Sequence, residues 1–213
     1  MKTNKTIAGL FSIIAASLIT ISASYAATIP GSITAFDATT KSDTFIVKSK
    51  GWSDPAFGDM GWTHSSDWGT FSATQGQTVA ITMIADPTTA VGIHPGSTIW
   101  YRGANDTAPD NYVVDHFYPQ NANFAKFGAT DESTSAALGN IIMTHVVHGY
   151  DQDGNSVVNK KLRGKTDGVA GKLTFNFKAP YTGTYMFVVG GYNPDATVDT
   201  TLKYNIDVKV KVK

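Results

Sequence analysis

The chain has 213 residues, with 17 basic and 17 acidic side chains and no cysteine. A balanced charge offers no basic patch for nucleic acid. The lack of cysteine excludes disulfide redox chemistry and thiolate metal ligands. A chain of this length can bury a core without covalent cross-links, so we expect a single domain.

Residues 1–26 have the pattern of a secretory signal. Lys2 and Lys5 form a basic start, the following stretch to Ile21 is largely apolar, and Ser24 and Ala26 are small residues at the cleavage positions. We expect cleavage before Ala27, export, and a mature domain of residues 27–213. That domain has 15 basic against 17 acidic residues, a net charge of −2. No later apolar run is long enough to cross a bilayer, so attachment to a cell surface would need a partner.

Strand patterns recur along the mature chain. Alternating, β-branched and aromatic residues predict strands at Thr44–Val47, Thr78–Ile84, Lys172–Phe177, Gly183–Gly191 and Leu202–Val212. The last of these has lysines on one face, which indicates one buried and one solvent-exposed side. The predicted fold class is all-β, an antiparallel β-sandwich with long loops and little helix.

The segment Asn105–Ser135 is the least strand-like part of the chain. We predict a long excursion from the sandwich here, with a short helix at Thr134–Gly139. Long loops often carry function, and this one contains His116.

Two histidines lie in aromatic surroundings. His64 follows Trp62 by two residues, and in an extended strand such side chains share a face, so both would point into one pocket. His116 lies at an aromatic strand end, where Asp115 or a backbone carbonyl could orient the imidazole. Taken singly, each is equally compatible with a histidine buried in an aromatic core.

The other histidines carry weaker signals. His145 and His148 are three residues apart, but the β-branched and apolar residues around them favour a strand, where this spacing places side chains on opposite faces. We therefore predict that this pair does not chelate a metal. His94 precedes a proline and a glycine and is interpreted as a loop residue, with a secondary copper contact as the alternative.

Asp151, Asp153 and Asn155 alternate around a glycine, as in the first half of a calcium loop. The closing glutamate is missing, so a solvated hairpin turn is the alternative to a structural Ca²⁺ site. We find no serine with a neighbouring base, no carboxylate pair and no phosphate loop in a recognisable frame, and we predict that the protein is not an enzyme.

Trp62, His64 and His116 together resemble the pattern of the copper-binding proteins that methane-oxidising bacteria secrete to their surface, the MopE and CorA type, which is distinct from the magnesium channel of the latter name. In that family a tryptophan two residues before one histidine is oxidised to kynurenine, whose aryl amine binds Cu(I) together with two imidazoles. The resemblance covers most of the mature chain. It implies that Trp62, as kynurenine, His64 and His116 hold Cu(I).

The resemblance further implies an exported protein that captures or buffers copper at the outer cell surface, with an outer-membrane surface protein as a candidate partner. Two neutral imidazoles and an aromatic amine form an uncharged ligand set that suits a monovalent ion in an apolar cavity. If Trp62 is unmodified, its indole face could contact Cu(I) through a cation–π interaction, with Met60 as a thioether neighbour.

Two other functions fit the same residues. Exposed tryptophans at positions 52, 62, 68 and 100 would suit a surface adhesion or carbohydrate-binding module, because aromatic rings stack on sugars and on partner surfaces. A structural domain stabilised by calcium would instead show a large increase in melting temperature with Ca²⁺ and none with copper.

Overall fold

The computed structural model describes residues 27–28, 33–54, 66–88, 92–114, 121–156, 158–195 and 197–213. In chain order these form β1 (Ala27–Thr28), β2 (Ile33–Phe36), β3 (Ser42–Lys48), β4 (Asp67–Ala73), β5 (Thr78–Ala85), β6 (His94–Arg102), β7 (Val113–Val114), β8 (Phe124–Thr130), β9 (Ala137–Asp151), a 3-10 turn (Lys160–Leu162), β10 (Gly164–Lys165), β11 (Lys172–Lys178), β12 (Gly183–Tyr192) and β13 (Lys203–Val212).

The strands form two main sheets. The large sheet has the order β10-β9-β6-β12-β4-β2, and β8 also pairs with β9. The small sheet has the order β11-β5-β13-β3, and β1 pairs with β7 in a separate two-stranded ladder. The pairs are antiparallel except β2 with β4 and β10 with β9. The prediction of an all-β sandwich is confirmed.

The strands of the small sheet follow the period of two that the sequence predicts. In β13 the side chains of Tyr204, Ile206, Val208 and Val210 are buried, while the intervening lysines are exposed. Burial of alternate apolar side chains fixes the register, because a slip of one residue would place them all in water. The small sheet therefore has one face in the core and one solvent-exposed face.

The large sheet is covered on both faces. Its inner face packs against the small sheet through a cluster that includes Ile99, Phe71 and Phe187. Its outer face carries a second buried cluster, which includes Trp52, Trp68, Trp100, Tyr150 and Tyr192. We call this second layer the outer cluster.

Two glycines make room for part of the outer cluster. Gly96 in β6 and Gly190 in β12 face each other in the ladder. A Cβ atom at Gly96 would overlap the Trp52 indole, and one at Gly190 would overlap the Trp52 backbone. The backbone N–H of Trp52 donates to the carbonyl of Gly191 at 3.0 Å. The pair of glycines thus forms a trough on which the Trp52 segment lies.

The predicted excursion is more ordered than the sequence indicates, because it contains β7 and the seven-residue strand β8. The predicted helix at Thr134–Gly139 is wrong. The carboxylate of Asp131 accepts hydrogen bonds from the backbone N–H groups of Ser133 and Thr134 at 2.9 and 2.7 Å, which closes a turn, and β9 then starts at Ala137. Gly139 has a φ of 96°, a conformation that no right-handed helix contains.

Candidate metal centre on the outer face of the large sheet

The predicted metal ligands Trp62, His64 and His116, together with Met60, lie outside the described residues. The chain on either side of them is described. The first segment follows Asp54 and precedes Ser66, and the second follows Val114 and precedes Asn121. The positions of these flanks show where each segment leaves and rejoins the sandwich.

Thr98 of β6 connects one flank of each segment. The indole Nε1–H of Trp52 donates to Thr98 Oγ1 at 2.9 Å. The same hydroxyl donates to Oδ1 of Asn121 at 2.5 Å. Trp52 and Thr98 are both fully buried. A hydroxyl can accept and donate at once, so one side chain holds both flanks.

Trp100, two residues further along β6, makes a parallel connection. Its ring stacks on that of Trp68, with centroids 6.0 Å apart and an interplanar angle of 21°. Its Nε1–H donates to the carbonyl of Ala122 at 3.0 Å. Trp68 lies just after the first segment and Ala122 just after the second. Two outer-face residues of β6 therefore contact flanks of both segments that contain the predicted ligands.

A buried arginine fixes the chain that leads into the second segment. Arg102 donates to Asp106 through Nε and, at 2.8 Å, through Nη2, and its Nη1 donates to the Tyr112 carbonyl at 3.0 Å. The Asp106 carboxylate also accepts from the backbone N–H of Ile142 at 2.8 Å. Arg102 is 4% exposed. Charge-assisted bonds of this kind hold the excursion against β9.

The prediction that His145 and His148 lie on opposite faces is wrong. Their ring nitrogens Nε2 and Nδ1 are 2.8 Å apart. The ladder between β6 and β9 changes register after Ile99, which pairs with Val147, so that Trp100 pairs with His145 and Val146 is the additional residue. This is a β-bulge. Val146 and Val147 both pack on the inner core, which places the two histidines together on the outer face.

The hydrogen bonds of the pair define its tautomers. His148 Nε2 lies 2.9 Å from the carbonyl of Lys161, which can only accept, so neutral His148 carries its proton on Nε2. Its Nδ1 then accepts from His145 Nε2–H. Burial, followed by the influence of His148 and Arg163, lowers the pKa of His145 to about 4. The His145 ring is therefore neutral at physiological pH.

His94 is not a loop residue but the first residue of β6. Its Nδ1 lies 3.0 Å from Oδ2 of Asp151, a fully buried carboxylate, and the same oxygen accepts from the backbone N–H of Gly171 at 2.7 Å. These bonds join the start of β6 to the end of β9. His94 thus has a structural partner 57 residues away.

The candidate calcium loop is largely satisfied by protein donors. Asp151 Oδ1 accepts from the backbone N–H of Asp153 at 3.0 Å. Oδ2 of Asp153 accepts from the N–H groups of Asp167 and Gly168 at 2.6 and 2.9 Å. These contacts favour the hairpin turn over the structural Ca²⁺ site, which stays the untested alternative.

The tryptophans described here are not exposed. Trp52, Trp68 and Trp100 are 0%, 1% and 0% exposed, because they form the outer cluster. The premise of the carbohydrate-binding alternative is therefore wrong for these three. Across the described ranges, no group of three or more His, Cys, Asp or Glu side chains could hold a metal, and no helix is long and apolar enough to cross a membrane.

Comparison with known proteins identifies the family of the chain. A family model described as copper(I)-binding protein CorA-like matches residues 24–199. The structure of CorA, described as a surface-associated copper-binding protein important in Methylomicrobium album BG8 copper acquisition, is 30% identical with a TM-score of 0.74, and the match covers 85% of this chain and 98% of CorA. No curated protein sequence matches the chain.

The structure of MopE, described as a secreted protein of Methylococcus capsulatus in which an oxidized tryptophan facilitates copper-binding, matches with a TM-score of 0.57 and 17% identity, over 88% of this chain and all of that one. At this identity the match shows the fold alone. Together, the matches define a class of copper-binding β-sandwich proteins. Within that class, the chain belongs to the family of CorA-like copper(I)-binding proteins.

Thr98 and Asn121 are residues of this face that sequence reasoning missed, and the contact between His145 and His148 is one that it predicted against. Thr98 is one of many threonines in a β-rich chain, and nothing in its neighbourhood distinguishes it. The proximity of His145 and His148 depends on the bulge at Val146, which is an ordinary strand residue. The shared face of Trp68 and Trp100 is a property of strand pairing, which the local sequence does not encode.

Proposed function

We propose that the protein is exported and captures or buffers copper at the outer cell surface. Cu(I) is held by His64, His116 and a kynurenine formed from Trp62. Membership of the CorA-like family supports copper as the ligand. The role is binding, without a catalytic cycle.

One observation carries the ligand assignment. The segment containing Trp62 and His64 and the segment containing His116 both have flanks on the outer face of β6, at Thr98 and Trp100. Segments that leave a sheet at adjacent points can bring their side chains together at little cost in loop closure. This supports a shared site built from two distant parts of the sequence.

The chemistry of the ligand set supports Cu(I). Two neutral imidazoles and an aryl amine bring no charge to the site, so the ion keeps a single positive charge in an apolar environment. A structural zinc site usually has four ligands. The absence of cysteine leaves nitrogen donors as the main choice for this family of sites.

The ligands are tested by Cu(I) competition against a chromophoric chelator under reducing conditions. We expect His64→Ala and His116→Ala each to abolish tight Cu(I) binding while the melting curve of the sandwich is kept. His94→Gln is the matched control, because it removes a histidine and keeps an N–H donor toward Asp151. Unchanged Cu(I) affinity in both alanine variants would refute the assignment.

The modification is tested by peptide mass spectrometry of protein from the native host, with copper analysis of the same sample. We expect the kynurenine mass change on the Trp62 peptide. Trp52, Trp68 and Trp100 are buried internal controls and should be unmodified. An unmodified Trp62 in a copper-loaded sample would leave the two histidines with the indole as the third contact.

Surface location requires export and a point of attachment. We propose cleavage before Ala27 and attachment through an outer-membrane surface protein. N-terminal sequencing of the exported protein tests the first step, with Ala27 as the expected first residue. Cross-linking on intact cells tests the second. Recovery of the protein solely in its uncleaved form would contradict export by this route.

A further inference from the structure

A second pair of nitrogen ligands lies on the outer face, within described residues. The bulge at Val146 holds Nε2 of His145 and Nδ1 of His148 2.8 Å apart. With metal–nitrogen bonds of about 2.0 Å, two nitrogens at this separation would subtend an angle of about 90° at a bound ion. A tetrahedral ion would need the nitrogens about 3.3 Å apart, and a linear one about 4 Å.

An angle near 90° is that of two neighbouring ligands in a tetragonal complex, the geometry that Cu(II) prefers. Copper is also the divalent ion that nitrogen sites of this kind bind most strongly. This separation suits Cu(II), but it is also that of an ordinary hydrogen bond. Because the His148 Nδ1 lone pair points at His145 Nε2 in the metal-free pair, the His145 ring must swing aside before both nitrogens can face one ion.

The support around the pair is typical of a metal site. A ligating histidine usually donates its second N–H to a carbonyl or carboxylate, which fixes the tautomer and the ring orientation. His148 does so through Nε2, which donates to the Lys161 carbonyl at 2.9 Å. His148 is 5% exposed, so its ring is held, whereas the more accessible His145 can adjust to an incoming ion.

Binding would require one proton to move. In the metal-free pair, His145 Nε2–H donates to His148 Nδ1. To offer the Nε2 lone pair, His145 must carry its proton on Nδ1 instead. With neutral His148, this exchange of tautomers needs no net loss of protons. The remaining positions on the ion would be filled by water.

We propose that His145 and His148 form a second copper site, in which Nε2 of His145 and Nδ1 of His148 bind one Cu(II) ion. This site goes beyond the proposed Cu(I) function, because it contains none of Trp62, His64 or His116. It also stands or fails independently of them.

Arg163 is a charged residue that opposes this site, since its guanidinium acts electrostatically on His145. It is exposed, so solvent screens much of that repulsion. Removing the charge should tighten Cu(II) binding. For Arg163→Gln we expect affinity to rise roughly two- to fivefold, the range of exposed charge pairs.

The test is electron paramagnetic resonance of tag-free exported protein with added Cu(II), because a polyhistidine tag would itself bind copper. The His64→Ala/His116→Ala double variant should still show a Cu(II) signal with coupling to two nitrogens. Adding His145→Ala or His148→Ala to that background should remove the two-nitrogen coupling. Either change should also lower the affinity for Cu(II) at least tenfold. His94→Gln in the same background is the matched histidine control and should change neither.

Two outcomes would overturn the proposal. Absence of two-nitrogen coupling in the folded double variant would mean that the pair is a structural hydrogen bond only. Coupling that survives loss of either His145 or His148 would assign the copper elsewhere. If His148→Ala fails to fold, His145→Ala decides alone, because its side chain is the more exposed. The Cu(I) competition described above is independent, so failure of one site leaves the other assignment intact.

Discussion

The two faces of the large sheet are both buried, but they are built from different side chains. The inner face packs Phe36, Phe45, Phe71 and Phe187 with aliphatic residues against the small sheet. The outer face packs three tryptophans and two tyrosines with aliphatic residues and methionines. At the edge of the inner cluster the Tyr185 hydroxyl donates to the Tyr181 carbonyl, whereas the outer cluster has two buried indole N–H groups directed at the flanks of the two segments that contain the predicted ligands.

The difference separates stability from positioning. Dispersion and burial on the inner face hold the two sheets together without regard to the exact position of any polar atom. On the outer face, the indole N–H groups of Trp52 and Trp100 are directed at Thr98 and at the Ala122 carbonyl. Such bonds fix the flanks of the segments that contain the predicted ligands. Substitutions on the inner face should therefore mainly lower the free energy of unfolding, whereas substitutions on the outer face should also weaken Cu(I) binding.

The largest effect is expected on the inner face. Phe187 has its ring centroid 5.6 to 6.1 Å from those of Phe36, Phe45 and Phe71. Phe187→Ala would leave a cavity, and we expect the free energy of unfolding to fall by about 3–5 kcal/mol. Chemical denaturation measures this loss. Phe127→Ala is the control, because Phe127 is 70% exposed, and a comparable loss there would contradict the assignment of the inner core.

A smaller effect on stability, but a specific one on copper, is expected from Thr98→Val. The change keeps the shape and removes the hydroxyl between Trp52 and Asn121, which leaves the buried indole N–H without its acceptor. We expect a loss of about 1–3 kcal/mol in unfolding free energy and weaker Cu(I) binding.

Thr98→Ser retains the hydroxyl and is the matched control for this variant. Cu(I) competition and denaturation of the two variants, side by side, measure the contribution of the hydroxyl. Equal Cu(I) affinity in both would show that the connection through Thr98 does not position the ligands.

Protonation of the Asp131 carboxylate at low pH should destabilise the folded protein. Hydrogen bonds from Ser133, Tyr112 and Thr134, in that order of importance, hold the pKa of this carboxyl well below its ordinary value of 3.8. A lowered folded-state pKa gives stability that is present above the ordinary value and is lost as pH falls below it. We expect Asp131→Asn to be less stable at neutral pH and less sensitive to acid. Melting curves from pH 2 to 6 measure both, and parallel curves would contradict the prediction.

The smallest effect is expected from calcium. The carboxylates of Asp151 and Asp153 already accept backbone N–H groups and the His94 imidazole. We expect millimolar Ca²⁺ to leave the melting temperature unchanged. A large increase would restore the interpretation of this turn as a calcium site.

Much of the fold could be predicted because alternation in the sequence is a local signal. The strands at Thr78–Ile84 and Leu202–Val212 have one wet face, and they lie where the pattern places them. The strand Phe124–Thr130 was missed because it contains a glycine with positive φ and lacks clean alternation. The helix predicted at Thr134–Gly139 fails because the backbone is left-handed at Ser135, with a φ of 59°, and the chain enters β9 at Ala137.

The candidate site was less predictable, because it depends on relations between distant residues. Burial of Trp52, Trp68 and Trp100 follows from the second apolar face of the large sheet, and the local sequence does not show which layer covers that face. The pairing of His145 with His148 depends on a single additional residue in the ladder. The placement of Trp62, His64 and His116 in one site stays a prediction.

The trough formed by Gly96 and Gly190 has a consequence for how this protein can vary. At Gly96 an added Cβ would overlap Cγ, Cδ2 and Cε3 of the Trp52 indole, so the side chain at position 96 cannot grow unless the one at position 52 shrinks. Gly96→Ala should be poorly tolerated alone and better tolerated with a small aliphatic residue at position 52, because any aromatic ring there keeps atoms close to Cγ. Among natural variants of the chain, these two positions are expected to change together.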